Sequence, residues 1–381
     1  MCISNLSSAG AFLIPYFCAS ILKSSMIHNF NAGPSILPKE VFEQAAAAVL
    51  DFNNSGLSIL EFGHRTPEFT AVMEEARGLV RELMKLDANH EVLFLHGGAS
   101  TQFMQVPMNL LDSKDTAAYA DTGVWSSKAI KEAKLFGKPE IVCSSKDRNY
   151  TYIPKDFAVP NDARYLHITT NNTIYGTQWQ SIPRTSNSMV ADMSSDILSR
   201  ELDFNSFDLI YAGAQKNMGA AGVNLVVVNK NILGKIKRPI PTIMDYRNHI
   251  NEGSMLNTPP VFAVYVCLLT LRWLKAEGGV AEMEKRNAQK ATLLYNEIDR
   301  NTLFRGTVEK EDRSKMNACF VMEDASLEAA FLAFAKSKNI AGIKGHRSVG
   351  GFRASMYNAL PLDSVQVLVD AMQEFEELNN K

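Results

Sequence analysis

The chain of 381 residues contains 39 lysines and arginines and 41 aspartates and glutamates, which gives a formal net charge of −2. A chain so close to neutral has no overall field to attract nucleic acid or an anionic membrane, so we expect neither as a partner. The length allows two domains, and a hydrophobic content of 46% allows a large core. The five cysteines are scattered and lack the Cys-x-x-Cys spacing of a zinc or redox site, which favours the reducing cytoplasm and predicts no metal site.

The first 25 residues differ from the rest of the chain. Their apolar run of 12 residues, Ala11–Leu22, is too short for a transmembrane helix, which needs roughly 20. It also makes a weak signal peptide, because no lysine or arginine precedes it and Lys23 follows it. A globular pattern begins just after Met26, an alternative start, so we interpret residues 1–25 as an extension outside the fold.

A series of short apolar runs, separated by stretches with helical periodicity, predicts an α/β domain with a mostly parallel sheet. The helix predicted over Ser126–Phe136, which ends at Gly137, is amphipathic and would cover one face of that sheet. The seven predicted strands are Val92–Leu95, Ala117–Tyr119, Ile141–Cys143, Tyr165–Ile168, Met189–Ala191, Leu209–Tyr211 and Leu225–Val228.

The pattern changes after Pro259 and Pro260, where we place the start of a smaller C-terminal domain. We expect an N-terminal segment over residues 26–40 that packs with this domain, a large domain over 41–258 and the small domain over 259–381. The elements predicted for the small domain are helices over Val261–Leu274, Val280–Arg300, Leu327–Lys338 and Leu362–Leu378, with strands over Asn317–Val321 and Arg353–Tyr357.

Two residues at predicted strand ends suggest the chemistry. Lys216 lies between an apolar strand and a glycine-containing loop, and Asp192 ends the run Met189–Ala191. A lysine in a loop is usually a solvated charge, but a lysine and an aspartate at two strand ends are what pyridoxal phosphate needs. The lysine forms the Schiff base, and the carboxylate keeps the pyridine nitrogen protonated.

A third feature is His96–Thr101, which connects a strand to a helix predicted to start near Gln102. Its small residues allow backbone N–H groups to approach a phosphate at a helix N-terminus, although a Gly-Gly pair after a strand is often only a turn. Trp125 follows the next strand and could stack on a cofactor ring or simply lie in the core.

Six blocks of sequence, in this order, resemble the phosphoserine aminotransferases, which are class V pyridoxal-phosphate enzymes. The resemblance covers Ile27–Lys381 and implies a fold-type I transferase, with a seven-stranded, mostly parallel sheet flanked by helices and a smaller α+β C-terminal domain. The blocks are Asn29–Pro34, Gly63–Arg65, His96–Ser100, Ala214–Asn217, Leu256–Pro260 and Gly345–Asn358.

The resemblance also implies roles for individual residues. Lys216 would hold pyridoxal 5′-phosphate covalently, Asp192 would pair with its ring nitrogen, Trp125 would stack on the ring and Thr173 would face its 3-oxygen. Ala99, Ser100 and Gln215 would hold the cofactor phosphate, joined by Asn257 and Thr258 from the second subunit of a homodimer. The substrate residues would be His64, Arg65, His346 and Arg347 for the phosphate and Arg353 for the α-carboxylate. Ala32 departs from relatives that have a serine there, which removes a hydroxyl contact.

The reaction implied is transfer of the amino group of glutamate to 3-phosphohydroxypyruvate, giving 2-oxoglutarate and phosphoserine for serine biosynthesis. Whether 4-phosphohydroxythreonine is also a substrate, for pyridoxine biosynthesis, stays open. The alternatives are an aminotransferase of unphosphorylated acids, of the alanine–glyoxylate or serine–glyoxylate type, and an inactive cofactor-binding regulatory module. A cysteine desulfurase is disfavoured, because Cys267 and Cys319 lie within apolar segments.

Overall fold

The computed structural model describes residues 26–379, so the predicted extension over residues 1–25 lies outside the described part. The helices are α1 (Lys39–Leu50), α2 (Pro67–Leu83), α3 (Gly98–Leu110), α4 (Val124–Ala133), α5 (Tyr246–Asn251), α6 (Val261–Ala276), α7 (Gly279–Arg300), α8 (Glu328–Ser337) and α9 (Leu362–Asn379). The strands are β1 (His28–Asn29), β2 (His90–His96), β3 (Thr116–Asp121), β4 (Lys138–Ser144), β5 (Tyr165–Thr169), β6 (Asn171–Asn172), β7 (Thr177–Gln178), β8 (Ser188–Asp192), β9 (Leu209–Gly213), β10 (Val223–Asn229), β11 (Phe304–Gly306), β12 (Asn317–Met322), β13 (Ile340–Ala341) and β14 (Phe352–Ser355).

The central sheet has seven strands in the order β2-β10-β9-β8-β5-β3-β4. Strand β10 is antiparallel to both of its neighbours, and the other adjacent pairs are parallel. These are the seven strands that the apolar runs predict, so the mostly parallel α/β fold is confirmed. The strands are apolar because helices cover both faces of the sheet.

Each face of the sheet has its own core. Helices α1, α2 and α6 cover one face, and α3, α4 and α5 cover the other. The spacing of buried residues in α2 shows why it forms an amphipathic helix: Phe69, Val72, Met73, Ala76 and Val80 recur at intervals of three and four. Among residues 26–379, no helix is long and apolar enough to cross a membrane.

A separate core lies between the antiparallel sheet β11-β12-β14 and helices α7, α8 and α9. Phe30 belongs to this core, and β1 pairs with β13. Helix α6 packs in the first core, and α7 passes from the first core at Met283 to this one at Ala291. The boundary at residue 259 stays a prediction, and this packing favours a boundary within α7.

Two helix starts differ from the sequence prediction in a way that affects the site. Helix α3 begins at Gly98 and not near Gln102, so the Gly-Gly pair belongs to its N-terminus. Helix α4 begins at Val124 because the Ser126 hydroxyl accepts hydrogen bonds from the backbone N–H groups of Thr122 and Gly123. Trp125 therefore lies in the first turn of a helix.

Candidate active site

The carboxyl ends of the parallel strands converge on a cavity of about 380 Å³. Asp192 ends β8 and is paired in register with Thr169, which ends β5, and Lys216 follows the end of β9. Nine of the predicted site residues line this cavity: Ala99, Ser100, Trp125, Thr173, Asp192, Gln215, Lys216, His346 and Arg353.

The amine of Lys216 points into the cavity and donates a hydrogen bond to Thr173 Oγ1 at 2.8 Å. Its backbone is fixed by Ser35, whose hydroxyl donates to the Lys216 carbonyl oxygen at 2.5 Å. Burial lowers the pKa of Lys216 to about 8, with Asp192 acting in the opposite direction. A minor fraction of this amine, about a tenth at pH 7, is therefore neutral and nucleophilic, far more than for an ordinary lysine.

Gly33 lies against the side chain of Lys216. A Cβ at this position would lie 3.3 Å from Cγ of Lys216, and the φ angle of +135° is one that L side chains rarely adopt. The backbone conformation therefore favours glycine here, and a Cβ would also crowd the side chain of Lys216.

Asp192 is 4% exposed, and its Oδ1 accepts a hydrogen bond from the backbone N–H of Ser194 at 2.9 Å. Burial raises the pKa of this carboxyl group, while Lys216 acts to lower it. A buried carboxylate is stable only with a cationic or hydrogen-bonding partner. A protonated pyridine nitrogen would be such a partner.

The N-terminus of α3, which we call the anion site, lies at the edge of the cavity and has a geometry suited to binding an anion. Gly97 precedes the helix with φ +87°, and a Cβ there would lie 1.8 Å from Thr101 Oγ1, so only glycine fits. The backbone N–H groups of the first helical turn have no partners within the helix and favour a bound anion. Ala99 and Ser100 lie in this turn, and Gln215 lines the same cavity.

Trp125 presents its ring at the cavity between Phe103 and Lys128. The centroids of the Phe103 and Trp125 rings are 6.5 Å apart, and Lys128 Nζ lies 4.5 Å from the centroid of Trp125. Its indole Nε1 is buried without a hydrogen-bond partner among the described residues. The ring, the anion site, Asp192 and Lys216 together fit pyridoxal phosphate.

Arg353 and His346 line the cavity from the small domain. Arg353 lies on β14, and its Nη1 donates to the Thr173 carbonyl oxygen at 3.3 Å, whereas its Nε has no partner among residues 26–379. Burial, followed by the nearby Arg353 and Arg347, lowers the pKa of His346. These donors remain available for an acidic substrate.

The structure does not bring five predicted site residues to this cavity: His64, Arg65, Asn257, Thr258 and Arg347. Arg65 is exposed, and its Nε donates to the neighbouring His64 Nε2 at 3.3 Å. Thr258 is exposed, and Asn257 beside it is half-buried. If these residues act on a site, that site need not be the one in their own chain.

Several cavity residues were not predicted from the sequence. They are polar residues at or just beyond the ends of β5 and β8, one glycine before α1 and two apolar side chains: Thr169, Asn171, Ser194, Ser195, Gly33, Phe103 and Ile174. The two serines two and three residues after Asp192 were a readable signal, because polar residues at the carboxyl ends of parallel strands line ligand sites.

The fold and the cavity are those of a pyridoxal-phosphate-type aminotransferase, and comparison with known families agrees. The chain belongs to the class-V aminotransferases, since the Aminotransferase class-V family matches residues 27–368. This confirms the family and the fold expected from the sequence blocks.

Several individual proteins similar to this chain are phosphoserine aminotransferases. That of Flavobacterium johnsoniae is 60% identical over 350 residues, covering 92% of this chain and 98% of that protein. A solved phosphoserine aminotransferase, studied for radiation damage of its Schiff base, is 45% identical with a TM-score of 0.90, covering 93% of this chain and 99% of that chain. The PLP-bound phosphoserine aminotransferase of Trichomonas vaginalis is 36% identical with a TM-score of 0.87. The match covers 91% of this chain and 100% of that chain.

Proposed function

We propose that this protein is a pyridoxal-phosphate-dependent phosphoserine aminotransferase that transfers the amino group of glutamate to 3-phosphohydroxypyruvate. The observation that carries the proposal is one cavity in which Lys216 and Asp192, at strand ends, face Arg353 and His346 from the small domain. The 60% identity to a phosphoserine aminotransferase over nearly its full length supports the same activity.

The cofactor, when bound, supplies a ring that accepts the electron pair released at the substrate Cα. Lys216 would hold the cofactor covalently and, once displaced by the incoming amino acid, would move the proton from Cα as a free amine. Asp192 would hold the proton on the ring nitrogen. Thr173 is placed to orient the lysine, because its hydroxyl already accepts a hydrogen bond from Nζ.

Substrate recognition needs cationic donors at both ends of a small acid. Arg353 would bind the α-carboxylate with its planar guanidinium group, whose Nε is free of partners within residues 26–379. His346 would bind the phosphate as a neutral hydrogen-bond donor, and Arg347 beside it on the same loop would supply the positive charge. In the half-reaction with glutamate, the distal carboxylate of glutamate would take the place of the phosphate.

We further propose a homodimer with shared active sites. Asn257 and Thr258 would reach the cofactor phosphate of the partner subunit, and His64 and Arg65 would reach its substrate phosphate. The support is positional, since these four residues lie outside the cavity of their own chain. An isologous dimer repeats the same contact twice, so both sites would be completed in the same way.

Two further expectations belong to this proposal. The cytoplasm is the proposed location, supported by free cysteines at positions 143, 267 and 319. Activity on 4-phosphohydroxythreonine, for pyridoxine biosynthesis, would use the same two ends of the cavity.

The structure disfavours a cysteine desulfurase. Cys319, the candidate nucleophile for that chemistry, is 5% exposed, and burial raises the pKa of its thiol to about 12.

The deciding experiment is a substrate panel with glutamate as amino donor. We expect 3-phosphohydroxypyruvate to be used with a much higher kcat/KM than hydroxypyruvate, glyoxylate or pyruvate. Equal or better use of the unphosphorylated acids would favour the alanine–glyoxylate or serine–glyoxylate alternative. Absence of any spectral response to glutamate in the loaded protein would favour an inactive cofactor-binding module.

A further inference from the structure

Lys290 is a lysine that the proposed reaction leaves without a role. It lies on α7 and is 1% exposed, although lysines are almost never fully buried unless they are paired. Among residues 26–379, no carboxylate forms an ion pair with it. Its Nζ donates instead to the carbonyl oxygens of Met356 at 3.0 Å and Tyr357 at 2.8 Å.

The neighbouring turn of α7 contacts Asn358, the residue that follows Tyr357. Asn287, three residues before Lys290 and so on the same helical face, donates from Nδ2 to Asn358 Oδ1 at 2.9 Å. We call residues 356–358 the bracket segment. Each of its three residues accepts a hydrogen bond from a side chain on the same face of α7. The bracket segment directly follows β14, the strand that carries Arg353.

The other side of the bracket segment contacts residues next to Lys216, and not Lys216 itself. The backbone N–H of Asn358 donates to Oδ1 of Asn217, the residue after Lys216, at 3.0 Å. The Tyr357 hydroxyl donates to the Ala32 carbonyl oxygen at 2.8 Å and also interacts with Thr173, the hydrogen-bond acceptor of the Lys216 amine.

We propose that Lys290 is a positioning residue, which holds the bracket segment against Asn217 and Thr173 and thereby fixes the geometry of Lys216. The Lys290 amine acts as a hydrogen-bond donor to two carbonyl groups. Burial lowers its pKa to about 7, and both the cationic and the neutral amine have an N–H group for each carbonyl. The proposal rests on the proposed function, because Lys216 matters only if it is the reactive amine.

The test compares Lys290→Met with Lys285→Met in the loaded enzyme. Methionine keeps the length of the buried stem but donates no hydrogen bond, whereas Lys285 is on the same helix with a side chain 73% exposed. We expect K290M to lower kcat for glutamate and for phosphoserine by about tenfold to a hundredfold, because small displacements of a reacting group are costly. We also expect the pH midpoint of the cofactor absorbance to shift and cofactor dissociation to become faster, with K285M matching the wild type.

A lower melting temperature in K290M, with unchanged kcat and an unchanged absorbance midpoint, would show that Lys290 is only structural and would overturn the proposal. If K290M does not fold, Asn287→Ala removes the adjacent contact to the bracket segment, and an unchanged midpoint there would equally overturn it. Failure of the proposed function is distinguishable, because the wild type and K285M would then also lack transamination.

Discussion

The side chain of His96 is hydrogen bonded through Nε2 to the backbone carbonyl oxygen of Thr258, at 2.7 Å. His96 ends β2 just before α3 begins at Gly98, so this bond joins the loop over Leu256–Pro260 to the N-terminus of α3. The carbonyl is an acceptor, so Nε2 carries the proton. The bond uses only the backbone of Thr258, which leaves the threonine and asparagine side chains available to a second subunit.

Subunit complementation tests this arrangement. We expect Lys216→Ala and the double variant Asn257→Ala, Thr258→Ala each to be inactive. The double variant should keep the hydrogen bond from His96 Nε2, because its acceptor is the backbone carbonyl oxygen of residue 258. In a mixed dimer, one site collects both lesions and the other has neither, so activity should return to about half of wild type per mixed dimer. No recovery despite proven subunit exchange, or a fully active monomer in sedimentation, would show that each site is built within one chain.

The second prediction concerns Asp192→Asn. The amide oxygen can still accept the hydrogen bond from Ser194, so the local structure should persist. The neutral amide cannot hold a proton on the cofactor ring, so turnover should fall by at least about a hundredfold. Because the replaced carboxyl is buried and its pKa is raised, the melting temperature of the cofactor-free protein should not decrease. Near-wild-type turnover, measured with glutamate, would refute the role of Asp192.

The strands of the central sheet were predictable from the sequence, and the reason is local. Apolar runs such as Leu209–Tyr211 form strands where helices cover both faces. Asp192 ends β8 and Lys216 lies three residues after the end of β9, so their position near the edge of the sheet was predictable as well. The positions of Gly33 and Lys290 were not readable. Their contacts join residues far apart in the chain, and no periodicity encodes such pairs. For the same reason the sequence could not show that Arg65 lies outside the cavity of its own chain.

The third prediction is the pH dependence of the Lys216 amine. Its pKa of about 8 in the folded protein lies below the ordinary value for lysine, near 10.4. Between these two values the unfolded chain binds more protons, so this group makes the cofactor-free protein more stable as pH rises from about 8 to about 10.4. Labelling of Lys216 by an amine reagent, followed by peptide mapping, should have its midpoint near pH 8. A midpoint above 10, or preferential labelling of another lysine after borohydride reduction of the loaded enzyme, would contradict the assignment.

The fourth prediction compares Gly33→Ala with Gly56→Ala. Both glycines have positive φ, +135° and +76°, so both substitutions strain the backbone. Only at Gly33 would the new Cβ crowd Lys216, whereas nothing lies within 4 Å at Gly56. We expect both variants to melt at lower temperature, but only G33A to lose cofactor retention and turnover. Equal turnover in the two variants would show that the close approach to Lys216 has no part in the reaction.

The last prediction separates the two ends of the substrate. Arg353 lies at the cavity with a free Nε within the described residues, whereas Arg347 is exposed on the loop beside His346. Hydrogen bonds to charged groups contribute about 1.5–3 kcal/mol each, so loss of one arginine should weaken its ligand by that amount. Arg353→Ala should therefore impair phosphoserine and glutamate alike, because both carry an α-carboxylate. Arg347→Ala should weaken phosphoserine more than serine.

The readout is the kcat/KM of each half-reaction, measured for serine, phosphoserine and glutamate with each variant. Lys344→Ala is the control, since Lys344 is an exposed cation close to the same loop and has no proposed role. Equal losses for phosphorylated and unphosphorylated amino acids in the Arg347 variant would remove the basis for a phosphate site at this loop.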